Sequence, residues 1–275
     1  MIRVSDETEL GNTDRKTADR LEVLLITGGH AFDREPFLAA WQSDHGLHVT
    51  HLEHPSATDA IADGSAAEYD AVVFYDMPGV DPRGPAKPTR LPPGVQEGFG
   101  ELTRRGVGLV FLHHALASWP AWEGYAELVG GRYHFWPGSL RGIDWPDSGY
   151  LHDTQHNVTV VASDHPVTRG VQSTFSIRDE LYLFALLEDS VTPLVTSDFD
   201  FRSENFFSTG RAMLGHKFDR EGWTHPKGSN LVGWVREQDR SRIVYIQPGD
   251  GVGAYGDPNI RALWFNGVRW AARRT

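Results

Sequence analysis

Four segments of the chain end in side chains that can transfer protons or bind metal ions, and each follows a run of apolar residues. They are Thr27-Gly28-Gly29-His30, Tyr75-Asp76-Met77-Pro78-Gly79, Leu112-His113-His114 and Gln247-Pro248-Gly249-Asp250-Gly251. Histidine and carboxylate groups act as general acids and bases and as ligands of divalent ions. Glycine or proline shapes the turn in most of these segments. The pattern predicts a single site assembled from the ends of several strands.

The elements that must position these segments are short buried strands that alternate with helices. Apolar runs predict strands at 22–27, 47–52, 71–75, 107–112, 158–162, 192–196, 231–236 and 242–247, and an amphipathic pattern predicts a closing helix at 258–273. Such alternation predicts a three-layer, flavodoxin-like α/β fold with a mostly parallel sheet flanked by helices. Ligands of these sheets bind beyond the carboxyl ends of the strands. We therefore expect His30, His114 and Asp250 to surround one crevice.

Two groups of histidines could have either a structural or a functional role. Neighbouring residues at a strand end point in opposite directions, so we expect His114 to line the crevice and His113 to pack beneath it. His48, His51 and His54 are spaced by three in a predicted strand and its turn, which places them on alternating faces and argues against a metal site.

Composition excludes several classes of function. The chain has 275 residues, 40% of them hydrophobic, a formal net charge of -11 and no cysteine. The absence of cysteine excludes disulfides, thiolate metal ligands and a thiol nucleophile. The negative charge disfavours nucleic acid and anionic membranes as partners. Because the chain also lacks a long apolar run and a secretory signal, we expect a cytoplasmic protein.

The domain organisation is predicted to be simple. Residues 1–20 are polar and mixed in charge, which favours a flexible tail, and residues 21–275 are expected to form one domain. Two stretches without clear periodicity, 131–156 and 198–230, are interpreted as long insertions, which are commonly functional. The turn after the first strand lacks the G-x-G-x-x-G spacing, so we expect no NAD, and we expect no flavin either.

Several separated motifs together resemble the ThuA-like (trehalose-utilisation) family. They are ITGGH at the end of the first strand, GVGLVFLHHALASWPAWEGYAELVGGRYHF at 106–135, SDHPVTRGV and FSIRDELY at 163–182, and the closing RIVYIQPGDGVGAYGDPNIRALWFNGVRWAA. The resemblance extends from about Glu22 to Arg273. It implies a class I glutamine-amidotransferase-like fold in which histidine stands where amidotransferases carry the cysteine nucleophile, so a thiol-ester mechanism is excluded.

The resemblance also implies a role in sugar metabolism, since family members are linked to the use of trehalose and related disaccharides. By the family pattern, His30, His114, His134 and Glu180 would line the pocket. Relatives commonly have a glycine-histidine pair after the last strand, where this chain has Gly249-Asp250. Asp250 is then either a substitute oxygen ligand or a sign of changed activity.

These observations lead to a defined hypothesis about the site. We expect an enzyme that acts on a disaccharide, glycoside or keto-sugar derivative by metal-assisted or general acid/base chemistry, or alternatively a non-catalytic sugar-binding or regulatory protein. The expected catalytic residues are His114, Glu180 and Asp250; the expected metal ligands, with zinc as the first candidate, are His30, His114 and His134; and the expected sugar-binding residues are Asp76, Trp119, Trp122, Tyr133 and Trp136. A homodimer is also expected.

One pair of neighbouring carboxylates allows a sharper prediction. Asp179 and Glu180 cannot easily share a dry pocket, because two like charges raise the pKa of one of them. We expect Glu180 to face inward and Asp179 to face outward or to pair with a base such as Arg178.

Overall fold

The computed structural model describes residues 20–80 and 88–274. The predicted flexible tail therefore lies almost wholly outside the described residues. The strands are β1 (Leu21–Gly28), β2 (Leu47–Glu53), β3 (Ala71–Asp76), β4 (Gly108–Leu112), β5 (Gly131–Arg132), β6 (Gly138–Leu140), β7 (Ile143–Trp145), β8 (Gly149–Val160), β9 (Thr174–Leu183), β10 (Ala185–Leu186), β11 (Thr192–Ser197), β12 (Phe207–Ser208), β13 (Leu231–Gln238) and β14 (Ser241–Ile246). The helices are α1 (Arg34–Gln42), α2 (Ser56–Ala62), α3 (Val95–Arg105), α4 (Glu123–Val129), α5 (Thr209–Met213), α6 (Val252–Gly256) and α7 (Pro258–Ala271).

One sheet of ten strands forms the centre of the molecule, in the order β12-β8-β11-β13-β14-β4-β3-β1-β2, with β9 paired to β8. The five strands β2, β1, β3, β4 and β14 are parallel, and β13, β11, β8, β12 and β9 continue the sheet in antiparallel pairs. The carboxyl ends of the parallel strands therefore share one edge. The predicted three-layer α/β class with flanking helices is confirmed.

Helices cover both faces of the parallel part of the sheet. On one face, Trp41 of α1 stacks on Trp264 of α7, with ring centroids 5.9 Å apart. On the other face, Phe99 of α3 stacks on Phe74 of β3 at 5.5 Å. Helix α7 begins as the sequence predicts, because Pro258 occupies its first turn and the Asp257 carboxylate accepts the N–H groups of Asn259 and Ile260.

The first predicted insertion is more regular than expected. Residues 149–160 form β8, a strand of the main sheet, and β6 and β7 form a short hairpin before it. The end of β8 overlaps the predicted strand at 158–162, but residues 149–157 were missed because buried and exposed residues alternate irregularly around a β-bulge between Leu151 and Thr154. In the second insertion, residues 198–230, the regular elements are the short β12 and α5. Among the helices of residues 20–80 and 88–274, none has the length and apolar character needed to cross a membrane.

Candidate functional site

His113 occupies the turn at the carboxyl end of the fully buried strand β4. Its backbone φ is +48°, a left-handed conformation that costs a residue other than glycine about 1–3 kcal/mol. Two contacts hold the residue in this conformation. The Tyr245 hydroxyl donates to the His113 carbonyl at 3.0 Å, and Nδ1 of the ring lies 2.7 Å from the carbonyl oxygen of Gln247. Strained backbone of this kind is concentrated at functional sites, which marks His113 as a candidate.

The other ring nitrogen of His113 meets three polar groups from two elements. Nε2 lies 3.0 Å from Oε2 of Glu180 and 3.4 Å from Oδ1 of Asp250, and the Tyr182 hydroxyl lies 2.8 Å from the same nitrogen. Glu180 and Tyr182 are alternate residues of β9 and therefore face the same side of that strand. Asp250 follows β14, the parallel neighbour of β4.

This geometry limits the protonation states that His113 can adopt. A carbonyl can only accept, so Nδ1 carries a proton, and Nε2 then faces two carboxylates either with a second proton or with a lone pair. Burial would lower the pKa of His113, but hydrogen bonds to Asp250 and Glu180 and their negative charges raise that pKa well above its ordinary value. The imidazolium in turn lowers the pKa of Asp250, against the effect of burial. His113 is therefore positively charged at neutral pH when no other cation occupies the group.

Glu180 connects His113 to a second histidine. Its Oε2 faces His113, and its Oε1 lies 3.0 Å from Nδ1 of His152, whose side chain is half-exposed. His152 reaches this position because the β-bulge of β8 falls between Leu151 and Thr154, opposite Asp179 and Leu181 of β9. Bulges redirect side chains in this way beside active sites. Glu180 itself is 4% exposed, and each of its carboxylate oxygens has a histidine partner.

Asp179 is also buried, which contradicts the prediction that it faces outward or pairs with Arg178. Its carboxylate accepts the backbone N–H groups of Gly249 at 2.6 Å and Asp250 at 3.1 Å. Arg178 instead contacts Asp153. Burial raises the pKa of Asp179 to about 6, although His113 and the Gly249 amide lower it. The prediction treated the strand as having one dry face, whereas both faces of β9 are covered here.

A central cleft of about 230 Å³ opens in front of Glu180. We use the name central cleft for the space lined by His30, Tyr133, Phe135, His152, Glu180 and Tyr182. His113 and Asp250 do not line this cleft; His113 is fully buried, whereas the Asp250 side chain is 34% exposed. We use the name charged triad for His113, Glu180 and Asp250. Of these three residues, Glu180 is the one that lines the central cleft and would contact a bound molecule.

His30 and His114 lie together beside this cleft, as expected from their positions after β1 and β4. Their ring centroids are 4.5 Å apart, and His114 also packs on Tyr75 at 4.3 Å. Gly29 brings His30 close to the sheet edge, because a Cβ at this position would lie 2.3 Å from the Met77 carbonyl oxygen.

Both members of the adjacent histidine pair are buried and neither lines the central cleft, in contrast to the role expected of His114. His114 is 1% exposed, and among the described residues neither of its ring nitrogens has a hydrogen-bond partner. Burial, together with His30 and His113, holds the pKa of His114 well below its ordinary value. Burial and the charge of His113 also lower the pKa of His30. Strand β4 ends at Leu112 as predicted, but the residue that takes the turn with a left-handed backbone is His113 and not His114.

Of the five predicted sugar-binding residues, only Tyr133 lines the central cleft, and three of the others are buried in or packed against the core. Asp76 is fully buried, with Nε2 of His54 2.8 Å from its Oδ2, and the Ser118 hydroxyl donates to its backbone carbonyl. Trp119 is 3% exposed and belongs to the core, and Trp122 packs on Phe99. The tight turn after Ala117 directs this segment into the core, a feature that composition alone does not reveal.

The remaining predicted residues border a second space, the side cleft, of about 370 Å³. We use the name side cleft for the space lined by Arg132, Tyr133, His134, Phe135, Trp136 and Ser139. Tyr133 and Phe135 line both clefts, so the two spaces share a wall. The first predicted insertion thus contributes aromatic side chains to the site, as expected. Burial, with Arg132 and His225, lowers the pKa of His134 to about 4, which keeps its ring neutral at pH 7.

The predicted metal ligands are not brought together. His134 faces the side cleft, whereas His30 lines the central cleft. Within residues 20–80 and 88–274, the group that could hold an ion is His113, Glu180 and Asp250, whose ligand atoms all lie within 4.8 Å of one another. The set differs from the prediction because the ring that turns toward the carboxylates belongs to His113.

The predictions missed His113, His152 and Tyr182 as site residues. Tyr182 could have been found, because alternation in FSIRDELY places it on the face of Glu180. His152 could not, since it depends on a bulge. The histidines at 48, 51 and 54 have separate hydrogen-bond partners, Glu22, Thr27 and Asp76, which agrees with their interpretation as structural groups.

Comparisons with known proteins place the chain among its relatives. A ThuA-like protein from Parabacteroides merdae ATCC 43184 superposes with a TM-score of 0.64 at 15% identity, over 92% of this chain and 90% of that one. A ThuA-like protein from Bacteroides uniformis ATCC 8492 gives 0.59 at 14% identity, over 95% of both chains. A cytoplasmic protein from Salmonella typhimurium gives 0.53 at 14% identity, over 91% of this chain and 99% of that one.

Sequence comparison is consistent with these likenesses in fold. Among curated proteins, none has a sequence that matches this chain significantly. The family model described as "ThuA: Trehalose utilisation" matches residues 22–271, nearly all of the described chain. The chain therefore belongs to the ThuA family.

Proposed function

We propose that this protein is a sugar-metabolism enzyme that acts on a disaccharide, glycoside or keto-sugar derivative in the central cleft, with Glu180 as its general base. The observation that carries the proposal is the position of Glu180, a buried carboxylate held between His113 at 3.0 Å and His152 at 3.0 Å at the wall of an aromatic-lined space. Family membership, described as trehalose utilisation, supports sugar as the substrate class.

The side chains have distinct parts in this proposal. Glu180 accepts a proton from a substrate hydroxyl, from a carbon next to a keto group, or from a water molecule. His113 lies behind Glu180 and stabilises its negative charge before the transfer. His152 is half-exposed at the other carboxylate oxygen and exchanges protons with solvent. The Tyr182 hydroxyl, 2.8 Å from His113, donates a hydrogen bond to a substrate oxygen while remaining connected to the triad.

The aromatic walls favour a sugar as the bound molecule. Tyr133, Phe135, Tyr150 and Tyr182 border the central cleft, and the apolar faces of a pyranose ring pack on such rings. Lys217 lies at the same cleft and supplies a hydrogen-bond donor for sugar hydroxyls. An apolar wall with a small number of polar groups is typical of small-molecule sites.

His113, Glu180 and Asp250 also fit a divalent metal ion. One imidazole nitrogen and two carboxylates form a ligand set suited to zinc, manganese or iron, and the bond between Nδ1 of His113 and Gln247 is the support that metal-bound histidines commonly have. A bound ion would supply an activated water molecule or polarise a carbonyl group. With such an ion, Nε2 of His113 would be a ligand without its second proton, and Tyr182 and His152 would keep their roles at the cleft.

The test is a conversion assay on a panel of disaccharides, glycosides and 3-keto glycosides, with products identified by chromatography and mass spectrometry. We expect one class to be converted, and we expect Glu180→Gln to lower turnover by at least about 100-fold with the fold intact. Glu188→Gln is the matched control, because Glu188 is an exposed carboxylate that does not line either cleft. Equal turnover of wild type and Glu180→Gln would exclude the role given to Glu180.

The alternative is a non-catalytic sugar-binding or regulatory protein with the same cleft. It is favoured by the departure at Asp250, where relatives commonly carry histidine. Calorimetric binding of a sugar without conversion, both with and without added zinc or manganese, would support this alternative and overturn the enzymatic proposal. We propose a cytoplasmic location, in line with the name of the Salmonella neighbour, and a homodimer remains a prediction that size-exclusion chromatography with light scattering can test.

A further inference from the structure

The side cleft contains a positive charge that the proposed chemistry does not use. Arg132 lines the side cleft and is half-buried. Among the described residues, its guanidinium makes a single hydrogen bond, to the Pro120 carbonyl. Arginine has five N–H donors, so most of them have no protein acceptor in the part of the chain that the structure describes. Desolvation of a charge is costly unless it is compensated, so an acceptor bound in the side cleft would stabilise this half-buried guanidinium.

No carboxylate in the described ranges lies within 4.0 Å of the Arg132 guanidinium, although the chain is acidic overall. Glu123 raises the pKa of Arg132 from a greater distance, while burial lowers it. The Glu123 carboxylate accepts the backbone N–H of Arg141 instead. Two other arginines of similar burial, Arg211 and Arg269, are paired with Asp219 and Asp44, whereas Arg236, like Arg132, donates to a backbone carbonyl.

The other groups of the side cleft are suited to an anion bound at Arg132. His134 is 95% buried, and its Nε2 has no hydrogen-bond partner among the described residues. The Ser139 hydroxyl and the half-buried ring of Trp136 complete the lining. The guanidinium fork matches the two oxygens of a carboxylate or phosphate, and the neutral ring of His134 has one N–H donor that can reach the same group.

We propose that the side cleft binds the anionic group, a carboxylate or a phosphate, of a sugar derivative whose reacting part lies in the central cleft, and that Arg132 is the residue that recognises this group. The inference rests on the proposed function for the identity of the substrate as a sugar. The shared wall of Tyr133 and Phe135 allows one molecule to extend through both clefts. The substrate class is thereby narrowed from neutral sugars to acidic or phosphorylated ones.

The test measures binding rather than turnover. The full chain is titrated by calorimetry, at constant ionic strength, with glucose, glucuronate and glucose 6-phosphate. We expect at least one of the two anionic sugars to bind about tenfold or more tightly than glucose, which corresponds to about 1.4 kcal/mol. Tighter binding of glucuronate identifies a carboxylate as the preferred group, and tighter binding of glucose 6-phosphate identifies a phosphate. Equal binding of all three overturns the proposal.

Substitutions test whether Arg132 causes the preference for anionic sugars. Arg132→Gln should bring the affinity for the anionic sugars down to that for glucose. Arg236→Gln is the matched control, because Arg236 is also half-buried and also donates to a backbone carbonyl, that of Glu127, but lies outside both clefts. It should keep the full preference. A preference that survives Arg132→Gln overturns the assignment.

A second variant keeps the proposal testable if Arg132→Gln does not fold. Arg132→Lys keeps the charge and most of the packing but removes the planar fork, so a reduced preference supports the proposal and an unchanged one overturns it. Failure of this inference is distinguishable from failure of the proposed function. If the protein shows no preference for anionic sugars, the inference about Arg132 is wrong but Glu180 can still be the general base. If anionic sugars bind tightly and no sugar is converted, the inference stands and the enzymatic proposal is wrong.

Discussion

The backbone N–H of Asp250 donates to the carboxylate of Asp179 at 3.1 Å, so a residue of β9 determines where the loop after β14 lies. The neighbouring N–H of Gly249 donates to the same carboxylate at 2.6 Å. Tyr255 adds to this support, because its hydroxyl donates to the Asp250 carbonyl at 2.8 Å. The position of Asp250 beside His113 therefore depends on a buried carboxylate that touches neither cleft.

Asp179→Asn should weaken this support. An amide has one acceptor oxygen where the carboxylate has two, so one of the two N–H groups loses its partner inside the protein. An unsatisfied buried donor costs about 1–3 kcal/mol in the free energy of unfolding. Urea unfolding at pH 7 measures this loss, and we also expect lower turnover because Asp250 is displaced from His113.

The control for Asp179→Asn is Asp198→Asn. Asp198 likewise accepts two hydrogen bonds, from the backbone N–H and the side-chain amide of Asn157, but it is exposed. Water can replace these bonds, so the free energy of unfolding should change by less than about 1 kcal/mol. Equal destabilisation by the two variants would contradict the support that we assign to Asp179.

Metal binding is predicted to depend on the triad. We expect wild-type protein dialysed against zinc or manganese and then against buffer to retain a divalent ion, measured by inductively coupled plasma mass spectrometry. His113→Gln and Asp250→Asn should each lose most of that ion, because each removes one ligand from a set of three. His134→Gln should retain it, since His134 faces the side cleft. Retention by the first two variants and loss by the third would restore the original three-histidine hypothesis.

Much of the framework of the site could be predicted from the sequence, because the signals were local. The runs ending at Thr27, Leu112 and Ile246 are apolar, bounded by glycine, proline or polar residues, and they predicted parallel strands whose ends meet. The approach of His30 to His114 follows from that rule alone. The separation of structural histidines such as His51 from site residues also followed from alternation along a strand.

The remaining predictions failed where the direction of a side chain depends on a shift of one residue along the backbone. Whether His113 or His114 takes the turn depends on a left-handed backbone conformation at His113, which no pattern of side chains specifies. His152 contacts Glu180 because of a bulge in β8, and the buried Asp179 is held by the loop after β14, whose Gly249 and Asp250 amides donate to its carboxylate. These features come from long-range pairing, which a single sequence does not reveal.

Two tryptophans that were grouped as sugar-binding residues should now behave differently. Trp136 is half-buried at the side cleft, whereas Trp119 is 3% exposed in the core. Trp119→Ala should lower the free energy of unfolding by about 3–5 kcal/mol, as deletion of a buried aromatic side chain usually does. Trp136→Ala should leave stability within about 1 kcal/mol and weaken sugar binding. Denaturant unfolding and calorimetric titration separate the two effects, and an equally destabilised Trp136→Ala would place its ring in the core instead.

The final prediction concerns the acid stability of the folded chain and rests on His156. This residue is 3% exposed in β8, and its Nδ1 lies 2.9 Å from the Ser197 hydroxyl, while among the described residues Nε2 has no partner. Burial lowers the pKa of His156 to about 4, although Asp198 raises it. Between pH 6.5 and pH 4 the unfolded chain therefore binds a proton that the folded chain does not, so stability falls as the pH falls.

The size of this effect can be measured with a matched pair of variants. At pH 4.5 the contribution of His156 is about 2–3 kcal/mol of lost stability relative to pH 7, by the value of one pKa unit. His156→Gln, which keeps a hydrogen-bonding group beside Ser197 but cannot be protonated, should lose correspondingly less stability over the same interval. His45→Gln is the control, because His45 is exposed, and its loss should equal that of wild type. Urea unfolding at the two pH values gives the comparison, and parallel losses in wild type and His156→Gln would show that the buried imidazole does not control acid stability.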